Sequence, residues 1–358
     1  MEFRSIPKLA LWASVGPLFF GCSTDLDVTA PYKEITVVYS LLNKNDNIHW
    51  VKINKAFLGD GDAFVYAQIP DSTEYTEEQL PESQRRIEKV DADGNVVATL
   101  ELRDTILNDR LPGLFNGPLH KMYYFRGDQP DGRLDHNFRY RLKATAKGNA
   151  IEAITNIVND LTVYTPTANP QTELALKQSN SYVPLSIKWF TTMNGRRYEA
   201  FYRFHYDEIT TDGTTHPKSF DNPIGTVISS AGPGQSDEAV LNGELFYQTI
   251  ATRVPQQAEA NVQQRVFRGV EFYWWIAAAD LHTYLQLANP ISGIVEERPD
   301  YSNIAGGYGL MSSRMFRLVP DGGARKTFNG PSTTELTTGQ YTGSLLFCVP
   351  VPVNGPPC

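Results

Sequence analysis

Residues 197–208 alternate without a break: Tyr198, Ala200, Tyr202, Phe204 and Tyr206 fall on one side, and Glu199, Phe201, Arg203, His205 and Asp207 on the other. Successive side chains of an extended chain point to opposite faces of a sheet, so a period of two this long demands a strand with one apolar and one wetter face. Asn194-Gly195, just before it, supplies the turn. Similar signals recur upstream. Residues 35–42 are β-branched and aromatic-rich and end at the polar turn 43–47, while residues 48–58 place His49, Val51, Ile53 and Lys55 opposite Trp50, Lys52, Asn54 and Ala56. Residues 86–90 and 95–103 flank Asp91-Ala92-Asp93-Gly94, and residues 138–146 and 150–158 flank Lys147-Gly148-Asn149. Both read as hairpins in which glycine supplies the positive φ of a tight turn. With 121–125, this makes about seven strands in ~130 residues, the size and spacing of a β-sandwich.

Residues 159–170 hold two prolines and several Thr and Asn, and mark the expected domain boundary. Beyond it, 183–190, 224–229 and 266–279 read as strands, and 210–222, rich in Thr, Asp, Gly and Pro, as a loop. Residues 242–253 suit a helix with Leu245, Phe246, Thr249 and Ile250 on one face, and residues 280–287 suit a shorter one with Asp280 as N-cap. The expected fold is mainly β: two β-sandwich-like domains at 33–165 and 166–335, the second with one or two short helices, followed by a C-terminal tail at 336–358. Within 266–279, the neighbours Trp274 and Trp275 must point to opposite faces of their strand. One of them is therefore a candidate aromatic contact.

The chain has 358 residues, with 32 Lys and Arg against 40 Asp and Glu, a net charge of -8, and no block of basic residues. Phosphate neutralisation needs a basic surface, so nucleic acid is not an expected partner. The six histidines His49, His120, His136, His205, His216 and His282 include no pair within one helical turn, and neither a nucleophile elbow nor a phosphate-binding loop occurs. No catalytic residue, metal or cofactor is expected. Asp60 and Asp62, and Asp128, Asp131 and Asp135, could offer oxygens to calcium, but Asp in such loops is ordinary turn chemistry. Glu296, Glu297 and Asp300 lie in a charged loop around Pro299, where spacing alone does not make a carboxylate pair. Gly306-Gly307-Tyr308-Gly309 lacks the strand-before, helix-after setting of a dinucleotide site and reads as a turn allowing close backbone approach.

The N-terminus reads as an address. Arg4 and Lys8 precede residues 9–20, which carry no charge, and Gly21-Cys22 follows. That run is well short of the ~18–20 residues needed to span a bilayer. Residues 1–21 are thus expected to be a signal peptide, Cys22 the lipidation site, and 22–32 a lipidated tether. Gly21-Cys22 resembles a bacterial lipobox, although Phe19 and Phe20 depart from the usual residues; an ordinary signal peptide with a chance Cys is the alternative. The acidic residues of Cys22-Ser23-Thr24-Asp25-Leu26-Asp27 resemble the export signal of surface-exposed lipoproteins in Bacteroidota. In an oxidising compartment, Cys348 and Cys358 can close a disulfide around a proline-rich loop, with two free thiols as the other reading.

Two further resemblances rest on particular residues. Leu134, Tyr140 and Leu142 are similar to the approach into the penultimate strand of fibronectin type III and immunoglobulin-like domains, where a Tyr hydroxyl ties the strand to the preceding loop; His136 stands where that family usually has Pro. Three stretches look like a family of Bacteroidota lipoproteins of unknown function encoded beside TonB-dependent transporters. They are Ile53-Asn54-Lys55-Ala56-Phe57-Leu58-Gly59; Asn194-Gly195-Arg196-Arg197-Tyr198 with Arg203-Phe204-His205-Tyr206; and residues 293–314, which include Tyr301, Asn303, Ile304, Gly307, Gly309 and Arg314. The resemblance implies a lipoprotein of the outer membrane or cell surface, held in the bilayer by N-terminal acyl chains. It implies no catalytic residues. The expected function is a non-enzymatic binding or assembly partner of an outer-membrane protein complex, for example a TonB-dependent transporter or other β-barrel, with the Pro299–Arg314 segment packing against the core and orienting a loop. The alternative is glycan binding through a flat row of exposed aromatics. A hydrolase with a site between the domains is the third reading.

Overall fold

The computed structural model describes residues 33–58, 62–127, 134–169, 171–256, 261–288, 300–322, 325–350 and 358. The residues expected to form a signal peptide and tether, with Cys22, and Asp60, Asp128, Asp131, Glu296 and Glu297 lie outside them. The first half contains β1 (Lys33–Leu42), β2 (Ile48–Leu58), the short helices α1 (Ala63–Ala67) and α2 (Pro70–Thr73), β3 (Arg85–Val90), β4 (Val96–Glu101), β5 (Arg103–Asn108), β6 (Leu119–Arg126), β7 (Arg139–Ala146) and β8 (Asn149–Asn156). The second half follows with β9 (Thr162–Thr165), β10 (Lys177–Gln178), β11 (Ser181–Tyr182), β12 (Leu185–Phe190), β13 (Arg197–Thr210), β14 (Thr215–Ile228), β15 (Ser236–Leu241), α3 (Gly243–Arg253), β16 (Val262–Ala277), α4 (Ala279–Ala288), β17 (Tyr308–Val319), α5 (Gly330–Thr338) and β18 (Phe347–Cys348). The fold is mainly β and sandwich-like, with a few short helices.

One long sheet, in the order β14-β13-β16-β17-β1-β2-β6-β5, runs through both halves. The sheet β4-β3-β7-β8 faces its β1-β2-β6-β5 end, and β15-β12-β9 faces the other. Between the first pair, Val38, Val51, Ile53, Tyr123 and Phe125 meet Ile87, Tyr140, Leu142 and Ile151. Between the second pair, Tyr198, Tyr202, Phe204, Phe272 and Trp274 meet Ile187, Trp189 and Leu241, with Phe246, Tyr247 and Ile250 of α3 closing the side.

The join is made by β17, which pairs in parallel with β1 from Val37↔Tyr308 to Leu42↔Ser313 and antiparallel with β16 from Phe272↔Val319 to Ala277↔Arg314. Met311 belongs to the first core and Met315 to the second. The expected division is corrected accordingly. The cores part between Ile157 and Val158, Ile304 and Met311 return to the first, and a boundary at 336 falls inside α5. Leu336, Leu345 and Phe347 are buried in the second core, so a tail does not begin there.

Other local expectations also change. Of residues 210–222, only 211–214 form the loop: β14 pairs with β13 from Arg197↔Ile228 to Ile209↔Thr215, making a long hairpin. Its Pro217 and Pro223 are tolerated because β14 is an edge strand, where a missing N–H leaves no ladder bond unmade. In α3, Asn242 caps the helix by accepting from the Leu245 N–H at 2.9 Å, but the buried face is Phe246, Tyr247 and Ile250, and Leu245 is 57% exposed. Asp280 lies inside the first turn of α4 and does not cap it; the Ser312 hydroxyl accepts the Leu281 N–H at 3.1 Å instead.

Two tyrosines tie strands to preceding turns. The Tyr140 hydroxyl accepts from the Asp135 N–H at 3.1 Å, and the Tyr198 hydroxyl accepts from the Thr192 N–H at 2.9 Å. Gly195 serves the second tie, because a Cβ there would lie 2.5 Å from the Tyr198 hydroxyl. Replacing either tyrosine by Phe strands a largely buried amide and should cost about 1–2 kcal/mol, read as a lower urea midpoint with an unchanged slope.

Candidate functional site

The outer face of the long sheet carries the candidate site. On β13 the inward set fills the core, which turns Glu199, Phe201 and Arg203 outward. Register then places Phe201 opposite Tyr273, Glu199 opposite Trp275, and Trp275 opposite Phe316. The rings of Phe201 and Tyr273 stack at 5.0 Å and 5°, Tyr273 and Phe316 lie 5.8 Å apart, and Phe316 and Trp275 4.7 Å apart. Four aromatics from three strands form one continuous row.

Charged groups frame this row. The Arg203 guanidinium lies 5.4 Å from the centre of the Tyr273 ring and donates to both carboxylate oxygens of Asp221 at 2.6 and 2.9 Å. That hydrogen bonding holds Asp221 below the usual carboxylate range. Tyr273 is pushed up to about 12, chiefly by burial and then by Asp221 beside it. Arg314 sits 5.2 Å over the Trp275 ring, and Arg197 donates to Glu199 at 2.6 Å. Farther along, His205 and Glu271 are paired at 2.8 Å; burial lowers the histidine from its ordinary value against the opposing pull of Glu271. The arrangement is an aromatic centre inside a rim of satisfied Arg–carboxylate pairs.

The two tryptophans separate as their parity requires. Trp274 is fully buried, with its ring 6.0 Å from Trp189, whereas Trp275 is 37% exposed. Residues 301–309 stand apart from the aromatic row. Asn303 copies a strand neighbour, accepting from the Met311 N–H at 2.9 Å and donating to its carbonyl at 2.7 Å. Tyr301 donates to Asp280 at 2.5 Å, and Ile304 enters the first core. Gly307 passes so close to the Thr36 carbonyl that a Cβ would lie 2.7 Å from its oxygen. Ala305 exchanges both backbone bonds with Glu152 of β8, at 2.8 and 3.0 Å. This strap thus links β17 to the facing sheet, and only Arg314 reaches the aromatic row. Cys348 and Cys358 are joined by a disulfide, with Cys348 paired beside Val266 of β16.

Phe201, Tyr273 and Phe316 were not expected as site residues, although parity alone puts Tyr273 on the face of Trp275 and Phe201 on that of Arg203. What parity cannot show is which face later elements cover. Between the halves, Thr155, Asn156, Asn194, Arg196, Ser229 and Asp280 line part of a cleft of about 400 Å³, and Asp280 is the one carboxylate in its described lining. Among the described residues, no group of three His, Cys, Asp or Glu could hold a metal, and no helix is long and apolar enough to cross a membrane. Asp62 caps α1 through the Phe64 N–H at 2.8 Å, and Asp135 accepts from the Asn137 N–H at 2.9 Å.

No family model matches the chain, and no curated protein matches it. Among solved structures, it is similar to the C-terminal globular domain of the oligosaccharyltransferase from Pyrococcus abyssi, at 10% identity and a TM-score of 0.24, over 67% of this chain. The match spans 45% of that structure, and a likeness so slight carries no argument.

Proposed function

We propose that this chain is a lipid-anchored outer-membrane or surface protein that binds a protein partner through the face formed by Phe201, Tyr273, Trp275 and Phe316. The observation carrying this reading is that face itself: Trp275 and Phe316, each 37% exposed, continue into half-buried Phe201 and buried Tyr273, with Arg203 and Arg314 beside the rings. Trp, Tyr and Arg dominate the energetic centres of protein interfaces, and paired charges at the rim exclude wrong partners at little cost. Sugar stacking wants open ring faces. Here Phe201 and Tyr273 cover one another, and Arg314 covers part of Trp275, which favours a protein over a glycan. The Tyr140 tie supports reading the first sandwich as fibronectin-type. The anchor would be Cys22 and the partner an outer-membrane β-barrel, such as a TonB-dependent transporter.

A photo-crosslinking residue placed at 275 or 316 should capture one outer-membrane protein, whereas position 240, exposed on a different sheet, should not. Truncating Trp275 or Phe316 alone to Ala should weaken that association by about 30-fold, since an interface centre carries roughly 2 kcal/mol, and truncating both should weaken it further. Equal capture from all three positions, or none, overturns the reading.

A further inference from the structure

A second unusual surface lies at the end of the first sandwich from which the chain's N-terminal segment departs. Phe64 and Val65 on α1, and Leu111 in the turn between β5 and β6, are 68%, 58% and 82% exposed; Ile69, Leu114 and Phe115 are exposed beside them. These side chains are held out by ordered backbone. The Asn116 N–H donates to the Ala67 carbonyl at 3.1 Å, and the Gln68 side chain donates to the Leu114 carbonyl. Arg110 donates to the Asn116 carbonyl at 2.6 Å and lies 5.9 Å from the Phe115 ring centre. Two turns far apart in sequence are thus locked together into one apolar tip.

The tip and the first residue of β1 share one end of the molecule. Lys33, the first residue of β1, pairs with Leu58, the last of β2, and Asp62 caps α1 four residues later. Ten residues separate Cys22 from Lys33, so covalent geometry limits that path to at most about 40 Å. Phe, Leu, Ile and Val standing out from tight turns differ from the Tyr, Trp and Arg of the face on β13, β16 and β17, and suit the boundary between lipid headgroups and acyl chains.

We propose that this tip inserts into the surface of the phospholipid bilayer that holds the Cys22 acyl chains, an inference resting on the lipid-anchor reading above. Anchor and tip make two attachments, so the first sandwich is docked and not left swinging on its tether. Phe316 lies eight residues along β17 from Tyr308, the partner of Val37, and Val37 lies four residues from Lys33, so the aromatic face stands about 40 Å from the start of β1 along the strand direction, at ~3.3 Å per residue.

The full chain, purified from membranes, is placed in vesicles of phosphatidylethanolamine and phosphatidylglycerol, and the mass of its N-terminal peptide reports acylation. An environment-sensitive fluorophore on Phe64→Cys or Phe115→Cys should be strongly quenched by lipids brominated near the headgroup, while one on Val240→Cys should not. In a full chain carrying Cys22→Ser, vesicle binding should be weak, and Phe64→Ser with Leu111→Ser, Leu114→Ser and Phe115→Ser should reduce it at least tenfold with an unchanged melting curve. If the quadruple variant fails to fold, the quenching at positions 64 and 115 still decides. A missing acyl mass sinks the anchor while leaving the Cys22→Ser vesicle assay to judge the tip. Vesicle-bound acylated protein with an unquenched probe at both positions overturns the proposal.

Discussion

A chain carrying Gly309→Ala is expected to lose about 3–4 kcal/mol of stability and on the order of 5 °C in melting temperature. Gly309 has φ +121 and pairs with Val38 across the parallel β1–β17 ladder. A Cβ there would lie 2.0 Å from the Val38 carbonyl oxygen and 2.9 Å from its carbon. The obstacle is backbone already committed to the sheet, so no rotamer change can relieve it, and the strand must retreat from its partner. The Ser302 hydroxyl that accepts the Gly309 N–H at 3.0 Å would be displaced as well. Gly94 is the control: its φ is +94, but nothing lies within 4 Å of an added Cβ. Gly94→Ala should cost only ~1–2 kcal/mol from backbone strain alone. Urea and thermal unfolding of the two variants separate close approach from conformational strain, and equal losses would contradict the account.

Arg265→Met should cost about 3–5 kcal/mol. Arg265 is fully buried in β16 and donates to Glu208 at 3.0 Å, to the Leu345 carbonyl at 2.8 Å and to the Pro255 carbonyl at 2.8 Å. The bonds to Glu208 and Leu345 are buried, so its removal leaves a buried carboxylate and the Leu345 carbonyl without a partner, while the Pro255 carbonyl lies nearer solvent. Removing both charges is different. The double variant Arg265→Met, Glu208→Met no longer holds an uncompensated charge and should recover a large part of the loss, because replacing both members of a buried pair by apolar groups is often near neutral. Urea midpoints for the two single variants and the double variant give the coupling directly. A double variant no better than Arg265→Met would show that the guanidinium acts through the Leu345 and Pro255 carbonyls and not through Glu208.

Local pattern made much of this architecture legible. The alternation of β13, the glycine turns of the β3–β4 and β7–β8 hairpins and the Asn242 cap of α3 all lie within a few residues of the features that announce them. The first part of β14, up to Pro223, is hidden because Pro217 and Pro223 argue against a strand until its edge position is known. The first residue of α4 was obscured because Ser312, a residue of β17, supplies the hydroxyl that Asp280 seemed placed to provide. Of the aromatic face, the direction of each ring follows from counting by twos. That Trp275 and Phe316 stay uncovered while Leu310, on the same face of β17, is buried beside Leu281 of α4 depends on where a helix lands, which no short window encodes. The strap at 301–309 likewise draws its meaning from Thr36 and Glu152, both distant in sequence.

The parallel pairing of β1 with β17 also imposes an order of events. During synthesis β1 and β2 can form their hairpin early, but the other edge of β1 stays open until residues 308–313 have been made. Contacts this distant in sequence make folding slow, and an unpaired edge is a template for pairing with another chain. The first strand therefore waits for nearly the last one, and a chain interrupted near residue 300 would carry both sandwiches with their common seam unsewn.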